Sequence, residues 1–179
     1  MSRIGEVKIS NQGCKMKIIK YNKYDDIIVE FQDKYKTKIH TRYDKFKEGS
    51  IRNPYYPEVC GIGYVGQGKY KSKSKEGKHT KAYQTWINML KRCYDPYKLN
   101  KSPHYIDCFV CEEWHNFQNF AEWFYKNYYE IEGQRMELDK DILCKGNKIY
   151  SPDTCIIVPK RINILFTKRQ DKRGDILLV

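Results

Sequence analysis

The segment 138–163, with the sequence LDKDILCKGNKIYSPDTCIIVPKRIN, contains the side chains best suited to chemistry. Asp139 and Asp141 flank Lys140, and residues i and i+2 of a β-strand point to the same side. Two carboxylates on one side would form an oxygen-rich site for Mg²⁺, which binds through one or two carboxylates together with water and phosphate oxygens. The spacing therefore predicts a Mg²⁺ site at the two aspartates. An acidic strand end neutralised by Lys140 is the purely structural alternative.

The residues after the two aspartates predict the elements that would position them. Gly146-Asn147 has turn-forming composition and joins two short strand-like pieces, 136–143 and 155–159. A helix is predicted to begin at Pro159, because proline is favoured in the first turn of a helix. The resulting order of strand, loop, strand and helix is the arrangement of a small metal-dependent nuclease motif.

The seven cysteines supply a second candidate metal site. Cys108 and Cys111 have the two-residue separation found in structural zinc sites, and Cys144 and Cys155 would complete a set of four thiolates. However, ten residues separate Cys144 from Cys155, where paired zinc ligands are two to four residues apart. Zn²⁺ is therefore the weaker metal hypothesis, and reduced cysteines that pack as small apolar side chains are the favoured alternative.

The charge of the chain favours a polyanionic partner. The 179 residues include 34 Lys and Arg against 22 Asp and Glu, a formal net charge of +12. Residues 1–80 hold 18 basic and 9 acidic side chains, residues 81–138 hold 7 and 8, and residues 139–179 hold 9 and 5. Two basic regions around a neutral middle are typical of nucleic-acid binding, because each neutralised phosphate releases a counterion. A lysine-rich surface that only aids solubility is the alternative.

Composition also indicates where the protein works. The mean hydropathy is -0.81, and no stretch approaches the roughly 20 apolar residues of a membrane span. The first ten residues, MSRIGEVKIS, lack the apolar centre of a secretory signal. Aromatic residues make up 15% of the chain, which is ample material for a core and argues against disorder. We therefore expect a folded cytoplasmic protein with no membrane partner.

Hydrophobic periodicity divides the chain into a β-rich front end and a helix-rich remainder, so the fold class is predicted as α+β. Turn formers separate short runs of β-branched and aromatic residues, which predicts a small antiparallel sheet or partial barrel within residues 1–68. A linker is expected at 69–79, a helix-rich domain at 80–170 and a tail at 171–179. The predicted strands are Glu6–Ser10, Lys15–Tyr21, Asp26–Phe31 and Lys36–Tyr43.

Two stripes of large apolar residues recur with helical spacing in the second half of the chain. We predict helices from Thr80 to Asp95 and from Asn116 to Tyr128. The stripes would serve either as a stacking platform for nucleic-acid bases or as core, and helical spacing favours the core. Their members are Trp86, Met89, Leu90, Phe117, Phe120 and Phe124.

Three motifs follow one another between residues 83 and 163. They are Tyr83-Gln-Thr-Trp86 with Arg92-Cys93, then Cys111-Glu-Glu-Trp114 with Phe117 and Phe120, then Leu138-Asp139-Lys140-Asp141 with Gly146-Asn147, Tyr150-Ser151-Pro152 and Cys155. In order and spacing this half of the chain resembles the HNH-type homing endonucleases and related phage proteins. The resemblance implies an HNH-like (ββα-metal) domain, a double-stranded DNA or other nucleic-acid partner, and Mg²⁺ bound by Asp139, Asp141 and Asn147.

The ends of the chain extend the resemblance. The segment from Gly5-Glu6 to Asn53-Pro54 is similar to the front end of these phage proteins. Arg173-Gly174-Asp175-Ile176-Leu177 resembles the linker that, in such proteins, leads to an ethylene-response-factor-type DNA-binding domain. We expect that domain to be missing here, which puts sequence-specific targeting in doubt.

The sequence departs from the family pattern at the catalytic histidine. HNH nucleases use a histidine as the general base that activates water, and the matching position is Lys140 or, shifted by one, Asp141. A lysine ammonium has no free lone pair and is a poor base. His104 and His115 are the nearest histidines upstream, and either is a candidate to replace the base if the fold brings it to Asp139. Whether the chain is an enzyme therefore stays open.

Three functional hypotheses follow from the charge and the resemblance. The chain is a Mg²⁺-dependent DNA nuclease or nickase, a non-catalytic DNA-binding protein on an HNH-like scaffold, or a phage accessory protein that inhibits a host defence nucleoprotein complex. In the first two, basic residues around the HNH-like segment and in the front sheet hold the nucleic-acid backbone. These residues are Lys140, Lys145, Lys148, Lys160, Arg161, Lys168, Arg169, Lys15, Lys17, Lys36, Lys38 and Arg42.

Overall fold

The structure, a computed structural model, describes the backbone of residues 3–172 and the side chains of residues 3–166. The chain forms two compact units: the first comprises Met1–Pro57 and Tyr64–Gln67, and the second Glu58–Gly63 and Gly68–Val179. The predicted α+β class is confirmed, since the described residues form an antiparallel sheet at the front and five helices. No helix of the described part is long and apolar enough to cross a membrane. The predicted tail 171–179 lies almost wholly outside the described residues.

The first unit is built on a four-stranded antiparallel sheet whose strands follow chain order. Strand β3 has the predicted bounds, because its buried residues alternate strictly with less buried ones. The predicted antiparallel sheet is confirmed, with β1 and β4 at its edges. The strands are β1 (Val7–Ile9), β2 (Lys15–Lys23), β3 (Asp26–Phe31) and β4 (Lys38–Thr41).

A short helix, α1 (Tyr43–Glu48), follows the sheet and was not predicted. The predicted fourth strand, 36–43, is too long at both ends. At its start, the Asp33 carboxylate accepts the backbone N–H of Lys36 at 3.1 Å, and Lys36 has φ of 49°, which makes a turn. At its end, Tyr43 begins α1, which stops at Gly49 in the left-handed conformation.

One face of the sheet forms the core of the first unit. Alternate residues of β2 and β3 are fully buried, and α1 covers them with two aromatic side chains. The opposite face of β2 and β4 is exposed and carries lysines. The core residues are Met16, Ile18, Ile27, Val29, Phe31, Tyr43, Phe46 and Ile51.

In its described part, the second unit contains four helices and two small sheets. Thr80 caps α2 by accepting the backbone N–H of Tyr83 at 3.3 Å, as predicted. Asp95 ends α2 and also caps the unpredicted helix α3, which begins at Pro96. Strands β5 and β7 are parallel, whereas β6 and β8 are antiparallel. The elements are α2 (Lys81–Tyr94), α3 (Pro96–Lys101), β5 (Phe109–Val110), α4 (Phe117–Asn127), β6 (Met136–Asp139), β7 (Ile149–Tyr150), β8 (Ile156–Pro159) and α5 (Lys160–Lys172).

The two apolar stripes form the core of the second unit, which confirms the prediction and excludes their use as a base-stacking platform. The α2 residues Trp86, Met89 and Leu90 are at most 1% exposed, and the phenylalanines of α4 are at most 2% exposed. The indole Nε1 of Trp86 donates to the carbonyl of Trp114 at 2.7 Å, which joins α2 to the turn before α4. Burial with a satisfied N–H is the usual state of a core tryptophan.

Candidate functional site

Strand β6 ends at Asp139, so the expectation that Asp139 and Asp141 lie on one side of a single strand is wrong. The reason is local. Oδ1 of Asp139 accepts the backbone N–H groups of Asp141 and Ile142, each at 2.7 Å, and this Asx-type turn bends the chain away from the sheet. Oδ2 of Asp139 forms no hydrogen bond with any described residue, so one oxygen of this carboxylate can face a ligand.

Lys140 is buried, with only 6% of its side chain exposed, and its ammonium is fully engaged. It donates to both carboxylate oxygens of Asp141 at 2.8 Å and to the backbone carbonyl of Asn147 at 2.6 Å. Three donors and three acceptors are thereby matched, as a buried charge requires. Asp141 is therefore the ion-pair partner of Lys140. For this carboxylate, the structural alternative stated above, neutralisation by Lys140, is the one observed.

Asn147 uses its side-chain amide to hold the loop between β6 and β7. Its Nδ2 donates to the carbonyls of Lys140 at 3.0 Å and Ile149 at 2.6 Å, and its Oδ1 accepts the N–H of Ile149 at 3.1 Å. Together with the Lys140 ammonium, this amide ties the two ends of the loop to each other. In this arrangement Asn147 is a positioning residue for the loop.

A cavity of about 630 Å³ brings together most of the side chains singled out in the HNH-like segment. It is lined by residues of α2, the turn Pro103–Tyr105, β6, the loop before β7, and α5. The predicted site residues on its wall are His104, Asp139, Lys140, Asp141, Asn147 and Lys148. Among the two candidate replacement bases, the fold therefore brings His104, and not His115, to the cavity of Asp139.

His115 lies elsewhere and has a structural role. Its Nε2 is 3.1 Å from the carbonyl oxygen of Val110, and its ring meets Tyr94 edge to face. The Tyr94 hydroxyl accepts the N–H of the same Val110 at 2.8 Å. His115 thus helps to fix β5 against α2.

The remaining basic residues predicted around the HNH-like segment are dispersed. Lys160 and Arg161 line a separate shallow cavity together with Arg135. Lys145 is exposed in the loop after β6 and does not line the main cavity. Lys168 and Arg169 belong to α5, but their side chains lie outside the described residues.

Two residues of the cavity, Arg92 and Tyr150, have no role that sequence reasoning assigned. Arg92 and Tyr150 line the same cavity, and the Arg92 guanidinium lies 5.9 Å from the centre of the Tyr105 ring. Burial raises the pKa of Tyr150 far above its ordinary value, so its hydroxyl stays protonated. The Arg92-Cys93 motif was the only sequence signal that marked Arg92. It could not show that Tyr150 lies in the same cavity, because Tyr150 is distant in sequence.

The cysteines do not form a metal site among the described residues, where no group of three or more His, Cys, Asp or Glu side chains could hold an ion. Cys108 and Cys155 are buried, whereas Cys144 is exposed. Burial raises the pKa of Cys155 to about 12 and also raises the pKa of Cys111. Both side chains are therefore thiols near neutral pH when no metal is bound.

We also ask which side-chain oxygens of the predicted Mg²⁺ ligands remain available to an ion. Of Asp139, Asp141 and Asn147, only Asp139 has a side-chain oxygen without a hydrogen bond from the described residues. As a set of three ligands, these residues do not fit a bound ion in this arrangement. Mg²⁺ binding at Asp139 stays a prediction, because one carboxylate with waters and a phosphate is a known mode for this ion.

The exposed face of the front sheet forms a second basic surface. Lys15, Lys17 and Lys38 all lie on it. Glu30 of β3 is paired with Lys17 of β2 on one side and with Lys38 of β4 on the other. The other two predicted residues of this unit lie off the face. Lys36 is in the turn before β4, and Arg42 forms an ion pair with Asp44 at 3.0 Å.

Comparison with known proteins adds no relative: no family model, no curated protein and no solved structure matches the chain. The likeness to HNH-type endonucleases therefore rests on the sequence motifs quoted above and stays a prediction.

Proposed function

We propose that this chain is a nucleic-acid-binding protein on an HNH-like scaffold that holds the phosphate backbone at the Asp139 cavity. The observation that carries the proposal is the lining of that cavity, which joins Arg92 and Lys148 to Asn163 and Asp139. Its other Lys, Asp and Glu residues are Glu137 and the Lys140–Asp141 ion pair. Strand β6 and helix α5 contribute to its wall, and β6 pairs antiparallel with β8, the strand that directly precedes α5. This order agrees with the ββα arrangement that the resemblance implies.

The state of Lys140 supports binding over cutting. In the HNH-type endonucleases that this segment resembles, the corresponding position is the histidine that takes a proton from water. Here all three ammonium protons are donated to Asp141 and Asn147, so the group has no lone pair and no room to accept a proton. The base position therefore supplies no proton acceptor for hydrolysis. Phosphate binding depends instead on the other cations of the cavity, Arg92 and Lys148.

Neutralising the lysines of the sheet face tests the contribution of the first unit. We expect Lys17→Gln combined with Lys38→Gln to weaken binding of a 20-base-pair duplex about tenfold near 100 mM salt, because each lysine lost removes a phosphate contact. Fluorescence anisotropy with a labelled duplex measures this. The matched control is Lys23→Gln with Lys45→Gln, which removes the same charge from lysines already paired with Asp25 and Glu48. Equal losses in both double variants would contradict a specific role for the sheet face.

DNA nicking is a second candidate function, favoured by one observation: His104 and Asp139 line the same cavity. His104 is exposed and its imidazole is the kind of group that accepts a proton from water in nucleases. A Mg²⁺ ion at such a site would polarise the scissile phosphate and stabilise the leaving oxygen.

A plasmid assay separates the two candidates. If the chain nicks supercoiled DNA in Mg²⁺ buffer, we expect His104→Ala and Asp139→Asn each to reduce the rate at least a hundredfold, in line with the loss of a general base. His115→Ala should retain most of the activity, because His115 does not line the cavity. A wild type that binds duplex but does not nick it would support the binding function and contradict the nicking function. A wild type that neither binds nor cuts nucleic acid would favour the third hypothesis, an accessory protein that acts on a host complex.

A further inference from the structure

A second cavity adjoins the first and is basic throughout. Its volume is about 320 Å³, and it is formed by the last turns of α2, by α3 and by the turn after α3. It shares two wall residues, Arg92 and Tyr105, with the Asp139 cavity. Its lining is Asn88, Lys91, Arg92, Lys98, Ser102 and Tyr105, which includes three cations and no acidic residue.

Arg92, which lines both cavities, has no carboxylate in direct contact among the described residues, although Glu137 attracts it at longer range. It is partly buried, and its guanidinium lies 5.9 Å from the centre of the Tyr105 ring. No carboxylate of the described residues forms an ion pair with Arg92, Lys91 or Lys98. Partly buried charges are normally paired, because removing a guanidinium from water is costly. The Arg92 charge therefore forms no ion pair with a described residue and is available to an anion.

The neutral residues of the cavity also present hydrogen-bond donors. The side-chain oxygen of Asn88 accepts from Gln84 Nε2 at 3.0 Å, which leaves the Asn88 amide nitrogen for the cavity. Ser102 and Tyr105 each add a hydroxyl. Three cations with donors and no carboxylate match a tetrahedral oxyanion, and Arg together with Lys is the usual combination for phosphate.

We propose that this Arg92 cavity is a phosphate-binding site, which takes a backbone phosphate of the nucleic acid next to the one at the Asp139 cavity. This assignment rests on the proposed function for the identity of the phosphate. A free nucleotide or inorganic phosphate offers the same chemistry, so the experiment includes all three sources.

The test uses the double variant Lys91→Gln with Lys98→Gln, which replaces two positive charges with neutral amides. Its matched control is Lys101→Gln with Lys126→Gln, in which Lys101 lies on the same α3 helix over Tyr97 and Lys126 is paired with Glu122. We expect the first double variant to bind duplex at least tenfold more weakly than the wild type near 100 mM salt, and the control to differ less than threefold. A heteronuclear NMR titration with inorganic phosphate, and separately with ATP, follows the Arg92 Nε–H and the Ser102 amide in the wild type.

Each outcome has a distinct meaning. Weaker duplex binding by the first variant alone, with saturable phosphate shifts at Arg92 and Ser102, supports the site on nucleic acid. Saturable shifts with ATP or phosphate in a wild type that binds no duplex support the site but overturn the proposed function. Duplex binding that is equal in both double variants, with no saturable shift at Arg92, overturns the phosphate site and leaves the proposed function intact.

Discussion

Replacing Asp141 with alanine is expected to lower the free energy of unfolding by about 3 kcal/mol, the lower end of the range for breaking a buried ion pair. The variant leaves the Lys140 ammonium buried with only the Asn147 carbonyl as partner. The lower end applies because the Asp141 side chain is 37% exposed, so water reaches part of the pair. Urea unfolding followed by tryptophan fluorescence measures the change.

A double-mutant cycle isolates the ion pair. Lys140→Met combined with Asp141→Ala should cost less than the sum of the two single variants by at least about 1 kcal/mol, because the double variant leaves no unpaired charge. Glu122→Ala is the control, since it breaks an exposed pair with Lys126 and should cost under about 0.5 kcal/mol. Strict additivity in the cycle would mean that Lys140 and Asp141 do not act as a pair.

Replacing Trp86 with alanine is expected to lower the free energy of unfolding by about 4 kcal/mol, within the range for deleting a buried aromatic side chain. Trp86 is fully buried, packs on Tyr83 and Phe117, and loses its bond to the Trp114 carbonyl in the variant. The unpaired carbonyl adds to the cost of the cavity. Chemical denaturation of the purified variant gives the value.

Trp123→Ala is the matched control for this prediction, because Trp123 is partly exposed and packs on Trp114 from outside the core. We expect it to cost about 2 kcal/mol, roughly half the effect at Trp86. Equal costs at the two tryptophans would contradict the placement of Trp86 in the core.

The fold was predictable where one local pattern dominates. The alternation of β3 and the stripes of α2 and α4 are strong periodic signals, and each lies where the sequence indicated. The two short helices were missed for different reasons. Helix α1 has six residues, too few to show a period. Asp95-Pro96 ends one helix and begins the next, because Pro suits the first turn and Asp the N-cap.

The candidate site was predictable only in its local part. The sequence identified Asp139 and the loop with Asn147, but it assigned Asp141 to a strand that Asp139 itself terminates through its Asx-type turn. The choice between His104 and His115 depends on how the turns before and after β5 fold, and no spacing rule decides it. Likewise, the cavity that Arg92 and Tyr150 share brings together elements far apart in the chain.

The salt dependence of duplex binding by the wild-type protein tests the central proposal most directly. If the chain holds the phosphate backbone through its cavities and its basic sheet face, the logarithm of the binding constant should fall linearly with the logarithm of the salt concentration. We predict a slope of about -4 or steeper, corresponding to at least about four neutralised phosphates. Absence of binding near 50 mM salt, or a slope close to zero, would contradict the proposal.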